Sequence, residues 1–464
     1  MRIAWAVAAA ATLLAIISGG VAAAEALDAG AGNPSSSAFI AWARSAAAEI
    51  RGVELDANDS DLRPFCDLAG RAPVVALGEP GHGAHQPLEL RNRIFAYLVE
   101  HCGFTAIALE TSFTESRAMH DYVAGAAGDA GDITRRSLSW GFGAYAENAQ
   151  LAKWMHDYNR HARGRRTLQF YGIDLSGADN DSGFPHPEIA LNAVVDYIRT
   201  AAPARSHKLT ADIAPALDRI SAIGYASLAR RHDPALDSAL QSLRRFLSEN
   251  ARALRRSSGG SAYDWAVQGL AVASRLNDML SLDIEPERPG APMPPDTYKL
   301  VNVRDAAMAD NVLWVEREEG NQGRILVFAH NAHVMNAASR GGIWSVFSEA
   351  PRMMGQHLRS ALGNSLVIIG TSAGKSGDGL PVGLPLENSV EAALAKVGLP
   401  LFVLDLRGAV HDPGALAWLG ERRPLRANFA SELDVDLREA FDALVFMDQL
   451  TPARKNADAS TGTQ

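Results

Sequence analysis

Short apolar runs that each stop at a polar residue govern how this chain can fold. Residues 73–78, 105–109, 168–173 and 325–329 are rich in Val, Ile, Leu and Phe and too short for helices, so each predicts a strand buried on both faces. Segments of helical period separate the first three: Leu88, Arg91, Phe95, Leu98 and Cys102 share one stripe, and residues 147–162 repeat a similar pattern. Strand, helix, strand in succession needs a crossover connection, which builds a parallel sheet. Further runs at 366–369, 401–404 and 443–446 extend that sheet, with helices expected at 353–362 and 389–397.

Residues 188–283 lack a strand pattern but carry long helical stretches at 235–254 and 262–282, rich in Ala, Leu and Arg. The expected fold is therefore α/β: a three-layer core with a mostly parallel sheet and a large helical insertion. In this division residues 25–187 form the first part of the core, 188–299 the insertion that covers the cleft, and 300–452 the second part. Gly- and Pro-rich stretches at 286–295 and 374–386 predict loops, and the polar residues 453–464 predict a disordered tail.

The first 24 residues predict an export signal: Arg2 opens it, residues 3–17 are apolar, and Val21-Ala22-Ala23-Ala24 precede Glu25. The apolar run is short of the roughly 20 residues of a membrane span, so cleavage would leave a periplasmic or secreted product without a stable membrane anchor. About 440 residues then remain, enough for a sizeable core. A formal charge of -9 disfavours nucleic acid as a partner and suits a neutral or cationic small molecule. The chain has two cysteines, Cys66 and Cys102, too few for a disulfide scaffold; one bridge between them and two separate buried thiols both fit the sequence.

In an open parallel sheet, ligands bind beyond the carboxyl ends of the strands. The residues there are unusually polar: Gly78-Glu79-Pro80-Gly81-His82-Gly83 after the first strand, Glu110-Thr111-Ser112 after the second, Asp174 after the third, and His330-Asn331-Ala332-His333 after the run at 325–329. Any one of these alone reads as readily as a helix cap or a satisfied loop group; four ends together predict a site. Arg91 lies on the apolar stripe of its helix, so it is expected to point back toward Glu79 or Glu110, whereas Glu89 and Arg93 have the spacing of an exposed i, i+4 pair.

Taken in order, Gly78-Glu79-Pro80-Gly81-His82-Gly83, residues 104–110, Tyr171-Gly172-Ile173-Asp174, Arg304-Asp305 with Met308-Ala309 and Asn311, and His330-Asn331-Ala332-His333 resemble the motifs of the erythromycin esterase family. The similarity continues through Met354-Gly355 to Phe441-Asp442-Ala443-Leu444-Val445-Phe446 and so spans nearly the whole chain. It implies a carboxylic ester hydrolase acting on an ester or macrolactone, and hence macrolide resistance, with no cofactor, no metal and no covalent intermediate. His82 would be the general base drawing a proton from water, with Glu79 and Glu110 orienting it. Negative charge on the carbonyl oxygen needs donors, for which Arg91, Arg304, His330 and His333 are available and Arg304 and His333 are expected. Asp174 and Asp305 are expected to hold those cations in place, and Ser112 and Ser372 to line the pocket.

Other chemistries weigh less. Gly370-Thr371-Ser372-Ala373-Gly374 has the nucleophile-elbow pattern, but Lys375-Ser376-Gly377-Asp378-Gly379-Leu380-Pro381 opposes the helix that motif needs. Gly374-Lys375-Ser376 lacks the first glycine of a phosphate loop, since Ile369 stands there. A zinc hydrolase using His82, His330, His333 and a carboxylate is the main rival, against which Arg91 and Arg304 would repel the ion. A non-catalytic periplasmic carrier of haem or another small molecule is the alternative from a different class.

Overall fold

The structure is a computed structural model that describes residues 34–177, 187–222, 234–284, 293–376, 379–380, 382–427 and 431–456. The expected export signal at 1–24 lies outside these residues, as does most of the loop expected at 286–295. The strands are β1 (Ala48–Glu49), β2 (Val74–Glu79), β3 (Ala106–Ser112), β4 (Gln169–Asp174), β5 (Ile325–His330), β6 (Leu366–Ser376), β7 (Leu401–Asp405), β8 (Arg423–Ala427), β9 (Ser431–Val435) and β10 (Ala443–Leu450). Eight of them form one sheet in the order β1-β7-β10-β6-β2-β5-β3-β4, and β8 and β9 form a separate hairpin. From β10 through β4 every pairing is parallel; β7 joins β10 and β1 joins β7 antiparallel.

The period of two along each strand divides the core into two apolar layers. Val74, Ala76, Ala106, Ala108, Ile325 and Val327 face one layer, which also holds Leu191, Val194, Leu243 and Leu276 of the inserted helices. Val75, Leu77, Ile107, Leu109, Leu326 and Phe328 face the other, with Leu88, Phe95 and Leu98 of the helix His85–Cys102. The inserted helices are Pro187–Ala201, Pro203–Ala222, Pro234–Ser258 and Gly260–Leu280. The chain is thus a three-layer α/β fold with a helical insertion, as its pattern predicted.

Three local expectations fail and one element was not foreseen, each for a physical reason. β6 continues seven residues past 369 because its Gly, Thr, Ser and Ala residues pair in register with Leu444–Leu450 of β10, so the loop expected from 374 starts later. The hairpin escapes a search for continuous apolar runs because only its alternate residues are apolar: Leu425, Leu433 and Val435 are buried between polar neighbours. Glu89 and Arg93 are no exposed pair. Both are 2% exposed, Arg93 bonding Asp61 (2.6 Å) and Glu89 bonding Arg454 (2.6 Å), because chain segments cover this helix on the side away from the sheet. The expected tail is ordered through Asn456, where Pro452 and Lys455 form β-bridges to Ala84 and Tyr145; residues 457–464 lie outside the described residues.

Cys66 and Cys102 form a disulfide that ties the helix Arg63–Ala69 to the end of the helix His85–Cys102, with Cα atoms 5.9 Å apart across 36 residues of chain. Closing a loop of that length restricts the unfolded chain by about 3–4 kcal/mol. Replacing both cysteines by serine should lower the free energy of unfolding in denaturant by about that amount. An unchanged midpoint would mean that the bridge leaves the unfolded ensemble unrestricted.

Candidate active site

The parallel ladder places Glu79 opposite His330 at the carboxyl ends of β2 and β5. Gly78 makes this possible: a Cβ there would lie 2.1 Å from Oδ1 of Asn331, whose side chain clamps the β6 backbone by bonding both N–H and C=O of Thr371. On the far side of β5, the β3–β4 register shifts between Leu109 and Ser112, and such a bulge re-aims the side chains at Glu110. Asp174 ends β4. Arg304 and Asp305 come from the helix Tyr298–Glu319, and His330 caps the short helix Asn331–Val334, which carries His333.

Glu110 is the hub. Its Oε1 accepts from Arg304 Nη2 at 2.9 Å and lies 3.3 Å from His333 Nε2, and its Oε2 accepts from the His330 backbone N–H at 2.8 Å. Asp174 binds the same guanidinium through Nε (3.0 Å) and Nη2 (2.6 Å), while Asp305 holds His333 Nδ1 at 2.8 Å and caps Met354 N–H at 2.8 Å. His82, the most exposed member, hydrogen-bonds Glu79 through Nδ1, and its Nε2 stands 4.0 Å from Glu110 Oε1.

These contacts set the charges. Burial works against the His82 imidazolium, but Glu79 and Glu110 outweigh it and raise the pKa above the usual histidine value. For His333, burial is likewise outweighed by Asp305 and Glu110, which push it up to about 10, so this ring is a cation. Burial would raise Glu110, yet His333, His82 and Arg304 hold it well below the usual carboxylate range. His330 goes the other way: burial, then the neighbouring His82, keep it well below the usual value and therefore neutral. Its Nδ1 accepts the Ala332 N–H at 3.2 Å, which puts the remaining proton on Nε2, and that buried atom has no hydrogen-bond partner among the described residues.

The structure therefore brings together Glu79, His82, Glu110, Asp174, Arg304, Asp305, His330 and His333. Arg91 is fully buried and lines a pocket with Glu79 and Glu110, but it donates to Asn92 and Asn148 and forms no ion pair with either glutamate. Burial lowers it to about 10, against the pull of Glu79, Glu147 and Glu89. Ser112 is buried beside Asp174, its N–H bonded to Ser139 Oγ at 2.9 Å. Ser372 does not meet the cluster: its Oγ donates to the buried Glu391 at 2.9 Å, so it is neither nucleophile nor pocket lining.

Sequence reasoning missed the wall of the site. Trp140 adopts φ 62°, a conformation disfavoured for a bulky residue, and thereby donates from Nε1 to Asp174 (3.0 Å) while its ring faces Arg304. Phe142 packs 5.0 Å from the His82 ring, with Tyr145 beside it. Two aromatics interleaved with glycines in Trp140-Gly141-Phe142-Gly143 were the available signal. As for a metal, the groups among the described residues close enough to share an ion are Asp59-Glu100-His101 and His85-Glu89-Glu147, neither of which contains His82, His330 or His333.

Residues 99–450 match the erythromycin esterase family. The chain is similar to erythromycin esterase type II of Escherichia coli, at 26% identity over 88% of this chain and 96% of the relative, and to erythromycin esterase type I of Escherichia coli, at 24% over 85% and 95%. A solved structure of a mutant of erythromycin esterase EreC in its open conformation has a similar fold, with a TM-score of 0.60 at 20% identity over 87% of this chain and 97% of that one. The match covers most of the chain and every group of the carboxylate, histidine and arginine cluster from Glu110 to His333: this protein belongs to the erythromycin esterase family and is a hydrolase of that family.

Proposed function

We propose that the chain hydrolyses a carboxylic ester or macrolactone by direct attack of water activated by His82. The observation that carries this reading is the pairing of a carboxylate-oriented base with an unspent donor. Glu79 fixes His82 through Nδ1 and leaves Nε2 free to take a proton, and the His330 Nε2–H has no partner among the described residues, the two rings standing 5.4 Å apart. Water between them loses a proton to His82 Nε2 as its oxygen adds to the ester carbonyl, and the resulting oxyanion accepts from His330. When the tetrahedral intermediate collapses, the acyl C–O bond breaks and the His82 imidazolium returns the proton to the departing alkoxide, giving a carboxylic acid and an alcohol.

This assigns the oxyanion to His330 rather than to Arg304 and His333. Nε and Nη2 of Arg304 and both ring nitrogens of His333 face Asp174, Asp305 and Glu110, and Arg304 Nη1 turns to His333, so their role is to hold Glu110 and the His330 backbone in place. The acidic surroundings suit a neutral or cationic substrate such as an amino-sugar lactone. The leader-like first 24 residues and the disulfide support an exported, periplasmic or secreted location, because disulfides persist in oxidising compartments.

Metal-stripped protein incubated with erythromycin and with a panel of simple esters should give product one water heavier than the lactone, or free acid from an ester. Turnover only after zinc is added back would overturn the water-activation scheme. The base works in its neutral form, so kcat/KM should rise with pH through a limb lying above the ordinary histidine value of about 6.5, because Glu79 and Glu110 raise His82 against burial. A limb at or below that value would mean that the carboxylates do not act on the base.

A further inference from the structure

Beyond the residues of the reaction itself, a segment near the end of the chain is built into the wall of the site. Residues 451–456 run as a strap between the loop that carries His82 and the loop that carries Phe142 and Tyr145. On one side, Thr451 C=O accepts the His85 N–H (2.8 Å) and the Ala453 N–H donates to Gly83 C=O (2.8 Å). On the other, Arg454 C=O accepts the Ala146 N–H (2.8 Å), and Asn456 donates its N–H to Ala144 C=O (2.8 Å) and its side-chain amide to Gly143 C=O (2.9 Å). The two loops meet closely at the base: Gly83 has φ +86°, and a Cβ there would lie 2.9 Å from the Tyr145 hydroxyl.

The side chain of Arg454 completes the connection. Its Nη2 binds Glu89 Oε2 at 2.6 Å, and its Nε and backbone N–H bind Glu147 Oε1 at 3.0 and 3.1 Å. His85 Nδ1 shares that same Glu147 oxygen at 2.7 Å. Glu89 and Glu147 are buried carboxylates on the two helices that begin just after the His82 loop and just after Tyr145. His85, Glu89 and Glu147 lie close enough to share a cation, and the guanidinium is the cation that sits against them. One planar group thus crosslinks three separate pieces of chain, a geometry for which Arg is suited and a point charge is not.

We propose that Arg454 is a positioning residue for hydrolysis: by binding Glu89 and Glu147 it holds the His82 loop against the Phe142–Tyr145 wall. The inference rests on the hydrolytic reading above. Small displacements of a reacting group cost large factors in rate while leaving binding through the rest of the substrate intact. Arg454→Gln should therefore lower kcat by about 10-fold or more with little change in KM, and Arg454→Lys should recover part of the loss. The charge-balanced pair Arg454→Gln with Glu147→Gln removes one of the two carboxylates that lose their cation and leaves the net charge of the cluster unchanged, but it does not restore the crosslink, so in protein whose circular dichroism matches the parent's its kcat should stay low.

Wild type and His82→Ala are assayed beside these variants on the same ester. If turnover does not depend on His82, the hydrolytic reading falls and this inference with it. If turnover depends on His82 but Arg454→Gln keeps the wild-type kcat, or the paired variant regains it, the strap does not position the base and this inference alone is overturned.

Discussion

His82→Ala should lose about 10²- to 10⁴-fold in kcat for ester hydrolysis while retaining the parent's fold. The size of the effect follows from what the ring does. Its Nδ1 is committed to Glu79, its Nε2 faces Glu110 at 4.0 Å and the His330 ring, and the other two histidines of the cluster cannot take over. His333 is held as a cation between Asp305 and Glu110, and His330 is neutral with its lone-pair nitrogen already accepting the Ala332 N–H. Neither has a basic nitrogen to offer water. The fold should survive because the side chain is partly exposed and its loss leaves the ladders of β2 and β5 untouched. Mass analysis of product from erythromycin and from the ester panel measures the rate, and circular dichroism checks the fold. Turnover near the parent's level would show that another group activates the water.

How far the sequence carried this reading depends on the range of the signal. The strands that position the site were legible because each is a buried run bounded by polar residues, and their ends pointed to Glu79, Glu110, Asp174 and His330 before any geometry was known. The partners of those residues were less legible. That Arg91 bonds Asn92 and Asn148 rather than a glutamate depends on where the helix Ala146–His161 docks, and no local pattern encodes that. Ser372 carries an elbow-like motif yet turns to Glu391, because side chains alternate along β6 and that position faces the layer opposite its pocket-side neighbours. The ordered end of the chain was hidden for a different reason: residues 451–456 have no apolar pattern of their own and are held by hydrogen bonds and ion pairs to residues about 300 positions or more away.

Glu110→Ala should be the most damaging single change to the cluster as a whole, removing hydrolysis and lowering stability by about 3–5 kcal/mol. The carboxylate is buried, and three donors converge on it: the Arg304 guanidinium, the His333 ring and the His330 backbone N–H. Without it, the partly buried Arg304 and the buried His333 cation face each other 3.4 Å apart with only Asp174 and Asp305 behind them, and a backbone N–H at the end of β5 loses its acceptor. The His330 ring follows its backbone, so the oxyanion donor moves as well. Glu110→Gln separates these effects. It keeps an acceptor oxygen and most of the shape, so its stability should lie between parent and Ala variant, but it removes one of the two charges that raise His82, and the acid limb of kcat/KM should move to lower pH. Denaturant unfolding and a pH profile of each variant measure the two consequences independently. A Glu110→Ala protein as stable as the parent would mean that Asp174 and Asp305 suffice to neutralise the cluster, and an unmoved limb in Glu110→Gln would mean that Glu79 alone sets the base.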